Sequence, residues 1–160
     1  MRIAIIIAIL LVVPSSQALE LKYVSKVIDG DTITLDNGEK VRLIGIDTPE
    51  RGKCYYKEAK LRLTELVLNK NVELEKDITN RDKYKRLLRY IYIENNSINN
   101  MLVEEGYAKS YYYPPDIKNY QIFRQSEKLA KKNSLGMWKY CMNDIDIWTR
   151  IEIFFLRLKD

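Results

Sequence analysis

The polar and apolar positions alternate first and turn helical later. From Leu21 to Ile46 the chain is rich in β-branched residues, alternates apolar with polar positions and is broken by turn residues. That pattern predicts strands near Lys22–Ile28, at Thr32–Leu35 and at Lys40–Ile46. Asp36-Asn37-Gly38 between the last two is a hairpin signal, since Asn-Gly accepts positive φ. Ala59, Leu63, Leu66 and Val67 recur at helical spacing and predict a helix over 55–68, ended by Asn69 to Asn71. Val72, Leu74 and Lys76 start a fourth expected strand, and Leu87–Ile93 is a fifth, with Asn95-Asn96 turning the chain after it. Asn99 is an expected N-cap for a short helix through Met101, Leu102 and Val103, with Gly106 as its stop. A longer helix is expected after Pro114-Pro115, from about Ile117 to Lys132, closing at Gly136.

Short strands that curl early and helices that follow predict an α+β fold on a partly open barrel of the OB type. The 160 residues allow one domain with a real core. Two terminal stretches stand apart. Arg2, the apolar run Ile3–Val13, Pro14 and the small residues of Ser16-Gln17-Ala18 fit a secretory signal cleaved after residue 18, with an uncleaved membrane anchor as the alternative. At the other end Ile147, Ile151, Phe154, Phe155 and Leu158 form an apolar helical stripe flanked by Arg150, Arg157 and Lys159. It predicts an extra helix packed on its own domain, or one that meets a membrane surface or a partner.

Composition narrows the chemistry. Lys and Arg number 27 against 22 Asp and Glu, a formal +5 that favours an anionic partner. There is no histidine, which excludes imidazole acid/base catalysis, Ser-His triads and His-ligated metals. Carboxylates, Arg, Lys, Tyr or a hard cation are left. The two cysteines, Cys54 and Cys141, pair if the protein is exported and are otherwise two buried thiols.

The candidate site lies between Asp29 and Glu50. Asp29-Gly30-Asp31-Thr32 fails as a calcium-binding helix-loop-helix, because Ile33 and Thr34 stand where an oxygen ligand and glycine are needed. Asp31 and Asp47 at neighbouring strand ends can still meet, and such carboxylates are costly unless a positive group sits among them. Two carboxylates, a carbonyl and waters suit a calcium ion. Each residue also has a plain structural role open to it: Asp29 and Asp31 in turns, Arg42 on a solvent face, Glu50 at a helix start, Arg86 among many surface charges.

Three blocks taken in order are more specific. Asp29-Gly30-Asp31-Thr32, Arg42-Leu43-Ile44-Gly45-Ile46-Asp47-Thr48-Pro49-Glu50 and Asp82-Lys83-Tyr84-Lys85-Arg86 resemble the staphylococcal nuclease (thermonuclease) family. The resemblance runs from about Tyr23 to Trp138 and takes in Asn99–Ala108 and Gly136-Met137-Trp138. It implies a five-stranded OB barrel with three helices, spanning residues 21–141, that cleaves single-stranded DNA and RNA with Ca²⁺ and leaves 3′-phosphate ends. By motif it implies Asp31, Asp47 and the Thr48 carbonyl as calcium ligands and Arg42, Glu50 and Arg86 as the catalytic set. Lys83, Tyr84, Tyr111, Tyr112 and Tyr113 fall where the family binds substrate, and the cysteines occur in some relatives, which favours the disulfide. An exported monomer, secreted or periplasmic, is expected, with membrane anchoring as the alternative. A catalytically silent nucleic-acid-binding barrel is the second reading of the same fold.

The chain departs from the family pattern in places. Lys85 and Leu87 flank Arg86 where relatives often carry glycine, the loop after Glu50 is short, and Tyr56 replaces a common glycine.

Overall fold

Alternating burial closes into a barrel in the computed structural model, which describes residues 20–141. Strand β1 (Glu20–Val27) pairs antiparallel with β2 (Thr32–Leu35), and β2 with β3 (Lys40–Leu43). β5 (Asn71–Glu75) lies antiparallel between β1 and β6 (Leu87–Ile93). A parallel pairing of β3 with β6, Val41 opposite Leu87, completes the ring. The protein thus has a closed five-stranded OB-type barrel, the fold class that the apolar pattern predicts. Val24 and Val27 both point inward although three apart, because a bulge between Val24 and Lys26 shifts the face of the strand. β6 is paired on both sides, and its buried run from Leu87 to Ile91 is continuous rather than alternating.

Helices cover the barrel. α1 (Tyr56–Val67) buries Ala59, Leu63 and Val67 on one stripe. A two-stranded hairpin partner, β7 (Asn96–Ser97), leads into α2 (Ile98–Glu104). α3 (Tyr120–Lys132) inserts Phe123, whose ring meets Tyr90 edge-on at 6.0 Å between centroids. The short α4 (Met137–Tyr140) ends at Cys141, which is disulfide-bonded to Cys54 across 87 residues. The pairing expected for the two cysteines is therefore present. Both terminal stretches, the expected signal or anchor and the apolar stripe of 142–160, lie outside the described residues. Among the described residues no helix is long and apolar enough to cross a membrane.

Three expectations need correction. The strand expected at Lys40–Ile46 is two strands, β3 and β4 (Ile46–Asp47), and β4 pairs with β8 (Lys109–Ser110) instead of β2. Its backbone groups are claimed elsewhere: the Ile44 N–H donates to the Arg89 carbonyl at 3.0 Å, and the Ile44 carbonyl accepts from Asn99 Nδ2 at 2.9 Å. Gly45 then turns with φ 76°, and a Cβ there would lie 2.8 Å from Phe123. Asn99 is consequently not the N-cap of α2. Its side chain is fully buried and also accepts from the Ile91 N–H at 3.0 Å, while Ser97 caps the helix from two residues earlier. Finally, α3 begins at Tyr120 rather than Ile117, because Ile117 and Tyr120 close turns on the Pro115 and Ile117 carbonyls first.

Candidate active site

The break at Ile44-Gly45 decides where the acids sit. By leaving the hairpin, the chain turns Asp47 and Thr48 back toward the end of β1, and Gly30 lets the two segments touch. A Cβ on Gly30 would lie 2.7 Å from Thr48 Oγ1, so close an approach excludes any other residue there. Asp29 makes the local turn, accepting from the Asp31 N–H at 3.1 Å. Asp31 is buried, and its Oδ2 accepts from the Thr48 N–H at 3.1 Å and the Thr48 hydroxyl at 2.8 Å.

Arg42 joins the carboxylates. Its Nη1 lies 3.1 Å from Asp31 Oδ2 and its Nη2 lies 3.4 Å from Asp47 Oδ1. Asp31, Asp47, Thr48 and Arg42 therefore form one cluster. Burial pushes the Asp31 carboxyl up to about 6, aided by the Asp29 charge and only partly opposed by Arg42 and the Thr48 bonds. One arginine does not fully compensate the buried charge. The oxygen-only donors fit a hard cation, and histidine or thiolate chemistry has no part in them. Among the described residues no three acidic or cysteine side chains converge, and Asp31 and Asp47 are the carboxylates that Arg42 draws together.

Arg86 reaches the same place from the polar loop before β6. Its Nε donates to Asp82 Oδ2 at 2.7 Å and its N–H to Asp82 Oδ1 at 3.0 Å. Burial pushes the Asp82 carboxyl up, but the bonds and charge of Arg86 and the Tyr84 N–H outweigh it and hold it below the ordinary carboxylate value. The Nη1 of Arg86 comes within 3.5 Å of the Thr32 hydroxyl, which donates to Asp31 Oδ1 at 3.1 Å. Lys85, where relatives often carry glycine, takes φ 65°, and Leu87 is a core residue opposite Val41. The departures are thus absorbed by a left-handed lysine and by the core.

Two clefts meet at Asp47. The first, about 370 Å³, is lined by Arg42, Asp47, Asp82, Arg86, Tyr111 and Tyr113 among others. Tyr111 and Tyr113 stand 6.1 Å apart there, whereas Tyr112 turns away and packs edge-on against Tyr120 at 5.0 Å. Tyr84 is exposed beside the cleft, with Lys83 Nζ 5.1 Å and Arg86 Cζ 5.4 Å from its ring centre. Glu50 is exposed and lines the second cleft, about 450 Å³, together with Asp47 and Thr48. Thr32 and Asp82 were not singled out from the sequence. Asp82 had a signal, standing four residues before Arg86, but the Thr32 hydroxyl is placed only by the fold.

An OB barrel that gathers carboxylates and two guanidiniums around one open cleft defines a class, the phosphate-handling enzymes built on this fold. Comparison with known proteins makes it particular. Residues 40–140 match the family described as staphylococcal nuclease homologue. The chain is 39% identical over 125 residues to the thermonuclease of Staphylococcus intermedius, covering 72% of this chain and 74% of that one. It is 37% identical over 124 residues to the thermonuclease of Staphylococcus hyicus, covering 72% and 73%. It is 41% identical over 124 residues to endonuclease YncB of Bacillus subtilis, covering 71% of this chain and 59% of that protein. The chain belongs to the staphylococcal nuclease family and is an enzyme of the nuclease class.

Proposed function

We propose that the protein is a calcium-dependent phosphodiesterase that hydrolyses single-stranded DNA and RNA and leaves 3′-phosphate ends. The observation that supports this reading is the chain of contacts from Asp47 through Arg42, Asp31 and Thr32 to Arg86, which links two guanidiniums to two carboxylates, with Arg42, Asp47 and Arg86 lining one cleft. A phosphodiester repels hydroxide through its own charge, so a hydrolase must neutralise the phosphate and position the water. Asp31, Asp47 and the Thr48 carbonyl would hold a calcium ion, which would supply positive charge to a phosphate oxygen. Arg42 and Arg86 hold the remaining oxygens with planar forks that can each donate two bonds to phosphate. Glu50, exposed in the second cleft with Asp47 and Thr48, orients the attacking water and accepts its proton. The water oxygen bonds to phosphorus, the P–O5′ bond breaks, and the 5′ oxygen leaves as a hydroxyl after taking a proton from solvent water. Tyr111 and Tyr113 offer faces to a base in the first cleft, and Lys83 with Tyr84 flanks the incoming backbone.

The protein acts outside the cell, exported by the segment 1–18 and closed by the Cys54–Cys141 disulfide, and works as a monomer. Incubating the full chain with end-labelled single-stranded DNA and RNA, with calcium or with chelator, tests the activity. Cleavage only with calcium is expected, and Glu50→Gln should lower turnover at least 100-fold. Stable binding with intact substrate in every tube would make it a silent binding barrel instead.

A further inference from the structure

The second cleft is larger than the one that holds the two arginines, and catalysis uses only its edge. Asp47, which lines both clefts, and Glu50 are among its lining residues. The remainder is lined by Lys53 from the turn after Glu50, Lys109 from β8, and Met137 and Trp138 from α4, with the Cys54–Cys141 bridge forming part of the wall. Lys53 and Lys109 are exposed and have no carboxylate within 4 Å among the described residues, and the Lys109 ammonium lies 5.7 Å from the centre of the Trp138 ring. Lys131, whose ammonium lies 4.4 Å from the Trp138 ring, is by contrast engaged by Glu127. Lysines without a carboxylate partner in a concave site beside a polyanion's cleavage point are suited to phosphate contacts.

Resting on the nuclease reading above, the geometry points to this second cleft as a subsite for the nucleotide across the scissile phosphate from the tyrosine cleft. In it Lys53 and Lys109 hold the next backbone phosphate, and Met137 and Trp138 form an apolar floor for its sugar and base. A strand bound this way crosses Asp47, which lines both clefts, so that its scissile phosphate falls at the shared rim beside Glu50. Productive binding then needs nucleotides on both sides of the cut. The enzyme should prefer internal bonds over terminal ones. The disulfide keeps the lysine turn and α4 at a constant spacing, and with it the width of the cleft.

The test is direct binding of fluorescent oligothymidylates to the full chain in chelator, where no cleavage occurs, across a salt series. Lys53→Gln/Lys109→Gln should lower the magnitude of the salt slope for a 12-mer by about 1.4, since each lost single-strand phosphate contact removes about 0.7. At 0.1 M salt that is about a 25-fold loss of affinity. A thymidine mononucleotide, which is too short to reach both clefts, should lose less than threefold. The control pair Lys26→Gln/Lys128→Gln removes the same charge from exposed positions outside both clefts and should change the slope by less than 0.3, roughly the noise of such a series. Equal slopes for the cleft variant and wild type overturn the subsite, as does an equal loss in the control pair. If wild type with calcium cleaves nothing but the cleft variant still loses the 12-mer, the nuclease reading fails while the binding subsite stands.

Discussion

Asp31→Asn isolates the electrostatic cost of burying this carboxylate in the proposed cation site. A carboxyl held at about 6 instead of its ordinary 3.8 is one that the fold prefers neutral. At pH 7 it is ionised all the same, and the difference is worth about 3 kcal/mol of lost stability. The attractions of Arg42 and Thr48 are already inside that balance, so removing the charge should return the whole amount. The sign follows from proton counts. Below pH 4 Asp31 is protonated in both folded and unfolded chains and costs nothing. Between about 4 and 6 the unfolded chain releases the proton while the folded one keeps it, so stability falls as pH rises, and above about 6 the loss is complete. Asparagine, which mimics the neutral acid, escapes this loss. Urea unfolding in chelator should therefore show the variant more stable by about 3 kcal/mol at pH 7, the gain shrinking toward zero near pH 4. Added calcium should stabilise wild type and leave the variant unmoved. A variant less stable than wild type at pH 7, or a gain that is flat with pH, would refute the account of a buried, undercompensated carboxylate.

Other perturbations separate positioning from packing. Asp82→Ala removes the bonds that aim Arg86 and should lower kcat about 100-fold with a far smaller change in urea midpoint, as steady-state kinetics and unfolding together would show. Asn99→Leu orphans the Ile91 N–H and the Ile44 carbonyl and should cost about 2 to 4 kcal/mol in chemical denaturation. Cys54→Ser/Cys141→Ser should cost about 4 kcal/mol against the oxidised protein, matched by adding reductant to wild type and measuring the same transition. Lys85→Gly should raise stability by up to about 1 kcal/mol in the same assay, since it relieves a left-handed lysine.

The barrel strands and α1 were legible in the sequence because each is set by a local period: Ile33 with Leu35, Val72 with Leu74, and Ala59, Leu63 and Val67 show which face turns inward before any neighbour is known. The resemblance of three motifs to the family likewise named Asp31, Arg42, Asp47 and Arg86, and the structure brings those four into one connected group. Local pattern failed where a backbone group is satisfied by a distant one. Nothing near Ile44 in the chain says that Asn99, 55 residues on, takes its carbonyl, yet that bond splits the third strand and turns Asp47 toward Asp31. Nothing in the tyrosine triplet says that its middle ring packs on Tyr120 while the outer two line the cleft. The residue types of a phosphate-handling site follow from sequence, since charge and composition are properties of the chain. How far a carboxylate is buried, which arginine it meets, and that Lys53, Lys109 and Trp138 share a second cleft were decided only by tertiary structure, because desolvation and distance exist only once remote segments have packed.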